Sequence, residues 1–167
     1  MFLRKPRPDP AGPEQESVWS YPRHPLLEPT PKRLEIWLGG VKIADTTAGY
    51  RVVETSHPPT YYLPPGDFLP GVLIPAAGQS MCEFKGQASY WTLSAGGRVE
   101  ESAAWSYESP TPEFRGLAGH IAVYARRVDE CRVDGEVVTP QDGGFYGGWI
   151  TRDLTGPFKG PPGTLGW

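Results

Sequence analysis

The sequence predicts an all-β domain, and three observations predict it. Short runs of alternating apolar and polar residues recur along the 167-residue chain. Gly-Gly or Asp-Gly pairs separate several of them, and a single short helical signal interrupts the series. Many short strands with closely spaced turns point to a sandwich or an open barrel, because a βαβ fold would need helical segments between its strands.

Each element has its own justification. Residues 1–15 are Pro-rich and charged and read as a disordered or extended leader, with Arg4, Lys5 and Arg7 as a solvated basic cluster. In the following ESVWSYP, Trp19 and Tyr21 are the groups that would pin the segment to the body. The partial echo ESAAWSYESP at Glu101–Pro110 is one segment long and does not make a repeat. Leu34–Leu38 and Val41–Asp45 alternate on either side of Gly39-Gly40 and form a hairpin. Tyr50–Val53 is a third strand, His57-Pro58-Pro59 breaks the chain, and Thr60–Leu63 resumes extended structure. Pro70 and Gly71 limit Phe68–Ile74 to an edge or bulged strand, and Ala76–Ser80 reads as a loop. Gln87–Ser94 is a strand, turned by Gly96-Gly97 into Arg98–Glu101, with Ala103–Tyr107 as a short strand or the end of that one. Thr111 as N-cap, Pro112 at the first helical position and apolar Phe114, Leu117 and Ala118 predict one short helix near residues 112–118. Ile121–Tyr124 is extended, and Glu130–Val133 with Glu136–Val138 flank the hairpin turn Asp134-Gly135. The expected organisation is a leader (1–15), one domain (16–140) and a Gly/Pro/aromatic tail (141–167) draped over it and held by Phe145, Tyr146 and Trp149.

Composition narrows the function. With 21 Gly and 20 Pro the chain is loop-rich, yet 12% aromatic residues supply large areas to bury. A formal charge of −3 with interspersed signs offers no basic stripe for nucleic acid. No apolar run is long enough for a membrane helix, and the N-terminus lacks the apolar region of a secretory signal. Cys82 and Cys131 then read as free thiols in a reducing cytoplasm.

Two dense stretches carry the candidate chemistry. Met81–Trp91 (MCEFKGQASYW) holds Cys82, Lys85 and Tyr90; Glu54–Tyr62 (ETSHPPTYY) holds Glu54, His57 and Tyr62. A thiol beside an ammonium is activated as a nucleophile, although Cys is equally at home as a small buried hydrophobe and Glu83 opposes a thiolate. Lys85-Gly86 lacks the rest of a phosphate loop, which excludes a Walker-type NTPase. Glu54 and His57 are either an acid–base or ligand-binding pair or a turn before Pro58-Pro59. No CxxC, HxxxH or HExxH spacing argues for zinc, and no GxSxG argues for a serine nucleophile. Among the aromatics Tyr61, Tyr62, Tyr90, Trp91, Trp105 and Tyr107, the phenols Tyr62 and Tyr90 are expected to face a small-molecule pocket.

Taken together, Glu54–Tyr62, Cys82–Gly86 with Ala88, Tyr90 and Trp91, and Ala104–Tyr107 resemble the family catalogued as domain of unknown function 427, sometimes labelled nucleotidyltransferase-like. The resemblance covers about residues 33–130 and implies a β-tent, two antiparallel sheets meeting at an angle, as in methionine sulfoxide reductase B and the thalidomide-binding domain of cereblon. Many β-tents carry a four-cysteine zinc site that this chain lacks, and Glu83 stands where the family usually has proline. The label implies function by association only. Glu54, His57, Tyr62, Cys82, Lys85 and Tyr90 are the residues carried over as ligand-binding candidates, with no cofactor and no metal. The leading expectation is a cytoplasmic protein that binds a small polar or anionic ligand. Its rivals are an enzyme, using Cys82 as nucleophile or His57 and Glu54 as an acid–base pair, and an interaction module or homodimer built on the aromatic tail.

Overall fold

Three tight turns set the frame. Gly39-Gly40, Gly96-Gly97 and Asp134-Gly135 each hold two successive residues at positive φ (60° and 77°, 56° and 79°, 48° and 84°), as the favoured two-residue hairpin turn requires. The computed structural model describes residues 5–167, so the leader expectation for residues 1–4 lies outside the described residues. Residues 5–12 carry no regular element and are mostly exposed. The Asp9 N–H, donating to the Gly156 carbonyl at 2.8 Å, ties them to the tail.

In chain order the first strands are β1 (Glu16–Ser17), β2 (Leu26–Thr30), β3 (Leu34–Leu38), β4 (Val41–Thr46), β5 (Gly49–Val53) and β6 (Thr60–Tyr62). The three longest follow: β7 (Leu73–Cys82), β8 (Gly86–Ala95) and β9 (Arg98–Tyr107). Then come β10 (Ile121–Val123), β11 (Glu130–Val133), β12 (Glu136–Val137), β13 (Thr139–Pro140), β14 (Trp149–Ile150) and β15 (Leu154–Thr155). The chain is all-β.

One antiparallel sheet has the order β12-β11-β3-β4. A second, β10-β9-β8-β7, meets a third, β2-β5-β6, where Leu63 and Ile121 exchange both backbone hydrogen bonds at 2.8 Å. The joined ribbon ends at β2 on one side and β7 on the other, so no barrel closes. Between the ribbon and the first sheet lies the main core. There Leu34, Ile36, Leu38 and Ile43 pack with Leu63, Leu93, Ile121, Val123 and Trp149. On the ribbon's other face Val52, Tyr62, Trp105, Tyr107, Phe114, Leu117 and Ala122 form a second cluster. Alternation along a strand explains the division, since successive side chains point to opposite faces. Tyr61 thus packs against Trp149 (ring centroids 5.1 Å) in the main core, whereas Tyr62 joins the second cluster.

Several elements differ from the sequence reading. Ala76–Ser80 is part of β7 and not a loop. The strand lies at the sheet edge, where proline is tolerated, and a register shift between Pro75 and Gln79 absorbs the small residues in between. Of the two readings of Ala103–Tyr107, the end of the preceding strand is the one found: Arg98–Tyr107 is one strand, with Ser102 at φ 51° and a register shift against β8 as its irregularity. The helix spans Pro112–Leu117 and is 3₁₀, with Phe114 off the helical region (φ −110°, ψ 20°). Its Thr111 hydroxyl does not cap it but donates to the Phe84 carbonyl at 2.6 Å. Phe114 and Leu117 are buried, whereas Ala118 is exposed. A six-residue segment is too short to propagate an α-helix without tertiary help. In the tail, Phe145 does not anchor anything, being 82% exposed, and Trp149 is fully buried. Among the described residues no helix is long and apolar enough to cross a membrane.

Candidate functional site

The turn after β5 and the tip of the β7–β8 hairpin are brought to one place by different constraints. Ser56 takes a left-handed conformation (φ 74°), and the His57 N–H closes the turn on the Glu54 carbonyl at 3.1 Å. The Trp149 N–H, donating to the Pro59 carbonyl at 2.9 Å, ties the next residues to the tail. At the hairpin tip, Gly86 pairs with Cys82 across the turn. Thr111 holds that tip from outside, its hydroxyl on Phe84 and its N–H on the Lys85 carbonyl at 3.1 Å.

Between these two turns opens a cavity of about 420 Å³. Glu54, His57, Tyr62, Cys82, Lys85 and Tyr90 all line it. Register explains the rest of the wall. Ala88 lies opposite Tyr107 and Tyr90 opposite Trp105 across β8 and β9, so one face of this pair presents all four. Ala122 lies opposite Trp105 on its other side, and Trp105 packs on Tyr124 with ring centroids 4.5 Å apart. Trp91 faces away, its Nε1–H donating to Ser106 Oγ at 2.9 Å, and it does not line the cavity; neither does Tyr61.

The tail supplies what sequence reasoning missed: Gln141, Phe145, Tyr146 and Gly147. Gln141 is 2% exposed and every part of its amide is engaged. Its Oε1 accepts from the Gly148 N–H at 3.1 Å, and its Nε2 donates to the Lys159 carbonyl at 2.8 Å and to His57 Nδ1 at 3.1 Å. The Gly148 donor and the Lys159 acceptor together fix which end of the amide is nitrogen. His57 Nδ1 is therefore an acceptor, and the ring's proton resides on Nε2. Burial, with the charges of Lys159 and Lys85, pushes the imidazole pKa down to about 4, and a donor on Nδ1 favours the same neutral form. His57 is a neutral hydrogen-bond donor, edge-on to Tyr146 with ring centroids 5.2 Å apart.

Lys85 is the cavity's cation. Its Nζ lies 5.8 Å from the Tyr107 ring centroid and 5.9 Å from that of Phe114. It makes no ion pair among the described residues. Glu54 is half-buried, and burial raises its carboxyl pKa even though Lys85, Lys159, Arg23 and His24 pull it down. Its side chain contacts neither His57 nor Lys85 within bonding distance, so the Glu54–His57 pair meets only through the backbone turn. For Cys82, burial opposes the thiolate, but the Lys85 charge and the N–H groups of Lys85 and Phe84 outweigh it and hold the thiol below its ordinary value. Burial pushes the phenols of Tyr62, Tyr107 and Tyr124 upward, so they act as protonated donors. Tyr90 donates to Ser80 Oγ at 2.7 Å. Both cysteines are free, and burial raises the Cys131 thiol far from this site's chemistry. Among the described residues no three His, Cys, Asp or Glu side chains are grouped as a metal site requires.

Residues 26–134 match the family described as a domain of unknown function, DUF427. The chain belongs to this family. The matched DUF427 region contains the strands and turns that carry Glu54, His57, Tyr62, Cys82, Lys85 and Tyr90, whereas Gln141 and Tyr146 lie beyond it. No curated protein matches the chain.

Proposed function

We propose that this DUF427 protein is a binding protein whose aromatic-walled cavity takes a small polar or anionic ligand. One observation carries the reading: a half-buried ammonium, Lys85, that faces a concave aromatic surface without an acidic partner. A charge held in low-dielectric surroundings without a counter-ion is unfavourable, and a ligand anion relieves it. His57 Nε2–H and Glu54 supply a donor and an acceptor, and Tyr62 and Tyr90 supply walls. The protein works in a reducing compartment, the cytoplasm, with no nucleic acid as partner. A second concavity, lined by Lys32, Asp134, Glu136, Arg152 and Asp153 among others, fits this role less well. Its Lys32 is already paired with Asp153 at 2.9 Å. A panel of small carboxylates, sulfonates and phosphates is expected to contain members that raise the thermal midpoint of the wild type and leave Lys85→Met unmoved. Stabilisation that is absent, or identical in the variant, overturns the proposal.

The depressed Cys82 thiol favours one alternative, an enzyme with Cys82 as nucleophile. An acid–base mechanism through His57 is less favoured, because one ring nitrogen is occupied by Gln141 and the other already carries a proton. Alkylation of Cys82 by iodoacetamide, followed by peptide mass spectrometry against pH, is expected to titrate below an ordinary thiol and to move upward in Lys85→Met. An unperturbed, Lys85-independent profile removes the nucleophilic reading.

A further inference from the structure

The cavity's ionisable groups define more than a preference for anions. Of the groups that line it, His57 is neutral and the buried phenols are protonated, which leaves the Lys85 amine and the Glu54 carboxyl as the groups of opposite sign beside the Cys82 thiol. They are not paired with each other, and neither has another ionic partner within bonding distance among the described residues. No arginine lines the cavity, and Lys159, the next cation, stands outside the lining with its Nζ over the Tyr146 ring at 5.9 Å. A phosphate dianion would meet one ammonium and be repelled by the Glu54 carboxylate. A simple monoanion would satisfy Lys85 and leave Glu54 half-buried without a partner, which is unfavourable. A ligand with one group of each sign satisfies both.

Size and wall chemistry describe the remainder of that ligand. About 420 Å³ exceeds what a bare ammonium and carboxylate fill, and Tyr62, Trp105, Tyr107 and Tyr124 give it an aromatic lining. Cavities of this volume take small organic molecules and bind them mainly through apolar contact.

Resting on the anion-binding reading above, we propose that the occupant is a small zwitterion with an apolar or aromatic body, of the free α-amino acid class, its carboxylate on Lys85 and its ammonium on Glu54. A carboxylate on Lys85 also weakens the charge that favours the Cys82 thiolate, so the occupant slows Cys82 alkylation.

The test uses the full chain and isothermal titration with leucine, methionine, phenylalanine, tyrosine and tryptophan. Each is compared with the amine lacking its carboxylate and the acid lacking its ammonium. At least one amino acid is expected to bind about tenfold or more tighter than both of its single-charge analogues. Lys85→Met erases the advantage over the amine, Glu54→Gln erases the advantage over the acid, and the bound amino acid slows Cys82 labelling. Both variants are first checked for a wild-type circular dichroism spectrum and cooperative unfolding. If an acid binds as tightly as its parent amino acid in a Lys85-dependent manner, the zwitterion assignment is lost and the anion reading stands. If no amino acid binds at millimolar concentration, the zwitterion assignment is likewise lost. If, in addition, no acid binds in a Lys85-dependent manner, both readings fall together.

Discussion

At the scale of single residues, the site depends on an amide that orients an imidazole. Gln141 has no freedom to turn over, because its two ends meet a fixed donor and a fixed acceptor of the backbone. It imposes on His57 a neutral ring with the proton on Nε2, and burial reinforces that state by lowering the pKa from 6.5 to about 4. Since the folded pKa lies below the unfolded one, the unfolded chain binds more protons between these values. The contribution to stability is thus fully present above pH 6.5 and disappears as pH falls through about 4. Its upper bound is roughly 3 kcal/mol. Glu54, raised by burial, works in the opposite direction, gaining stability for the fold as it protonates. Thermal melts at pH 7 and pH 5 should show a smaller loss on acidification in His57→Gln than in the wild type. Equal losses would mean that the ring is not held neutral by the fold. The sequence identified His57 as chemically notable, but nothing in it could disclose Gln141. A glutamine's role follows from which groups its amide meets, and here those are set by the looping of the tail, which brings the Gly148 and Lys159 backbone to it, and by the distant His57 ring.

Elements were legible where local chemistry dictates the backbone. Gly39-Gly40, Gly96-Gly97 and Asp134-Gly135 announce hairpins because few other pairs accept two positive φ values in succession. Strand β7 was illegible for the converse reason: Pro75, Ala76, Ala77 and Gly78 have low strand propensity, and only an edge position with a register shift accommodates them. Nor does a turn signal reveal what the turn touches. The Gly39 turn of one sheet packs directly on the Gly96 turn of the other, and a Cβ on Gly96 would fall 2.0 Å from the Gly39 carbonyl oxygen. Its neighbour Gly97 has a similar positive φ but open space around it. Gly97→Ala therefore incurs only the left-handed backbone penalty, about 1–2 kcal/mol. Gly96→Ala adds the separation of two backbone segments and is expected to destabilise by about 3 kcal/mol or more in chemical denaturation. If the two variants unfold at the same denaturant concentration, the contact between the turns contributes nothing to stability.

For the whole molecule, the tail decides whether the cavity exists as described. The two motif stretches announced themselves by their density of reactive side chains, and all six candidate residues named from them line the cavity. Its far wall comes from Gln141, Phe145, Tyr146 and Gly147, in a Gly-rich segment whose composition gives no hint of position. The segment is held by Trp149, which is fully buried against Tyr61 and donates through Nε1 to the Val123 carbonyl at 3.4 Å. Close fit limits any slack: a Cβ on Gly147 would come 2.3 Å from the Trp105 ring. Replacing a buried tryptophan by alanine costs about 3–5 kcal/mol, a large share of the roughly 5–15 kcal/mol that stabilises a domain. Trp149→Ala should accordingly lower the thermal midpoint by about 10 °C. The neighbouring Phe145→Ala, at an 82% exposed position, should change it little. The same two variants separate packing within the chain from packing between copies. A tail that docks on a second molecule would make the midpoint depend on protein concentration and on Phe145, whereas an internal tail makes it depend on Trp149 alone. An unchanged midpoint in Trp149→Ala would detach the tail from the core and, with it, the wall that Gln141 and Tyr146 give to the site.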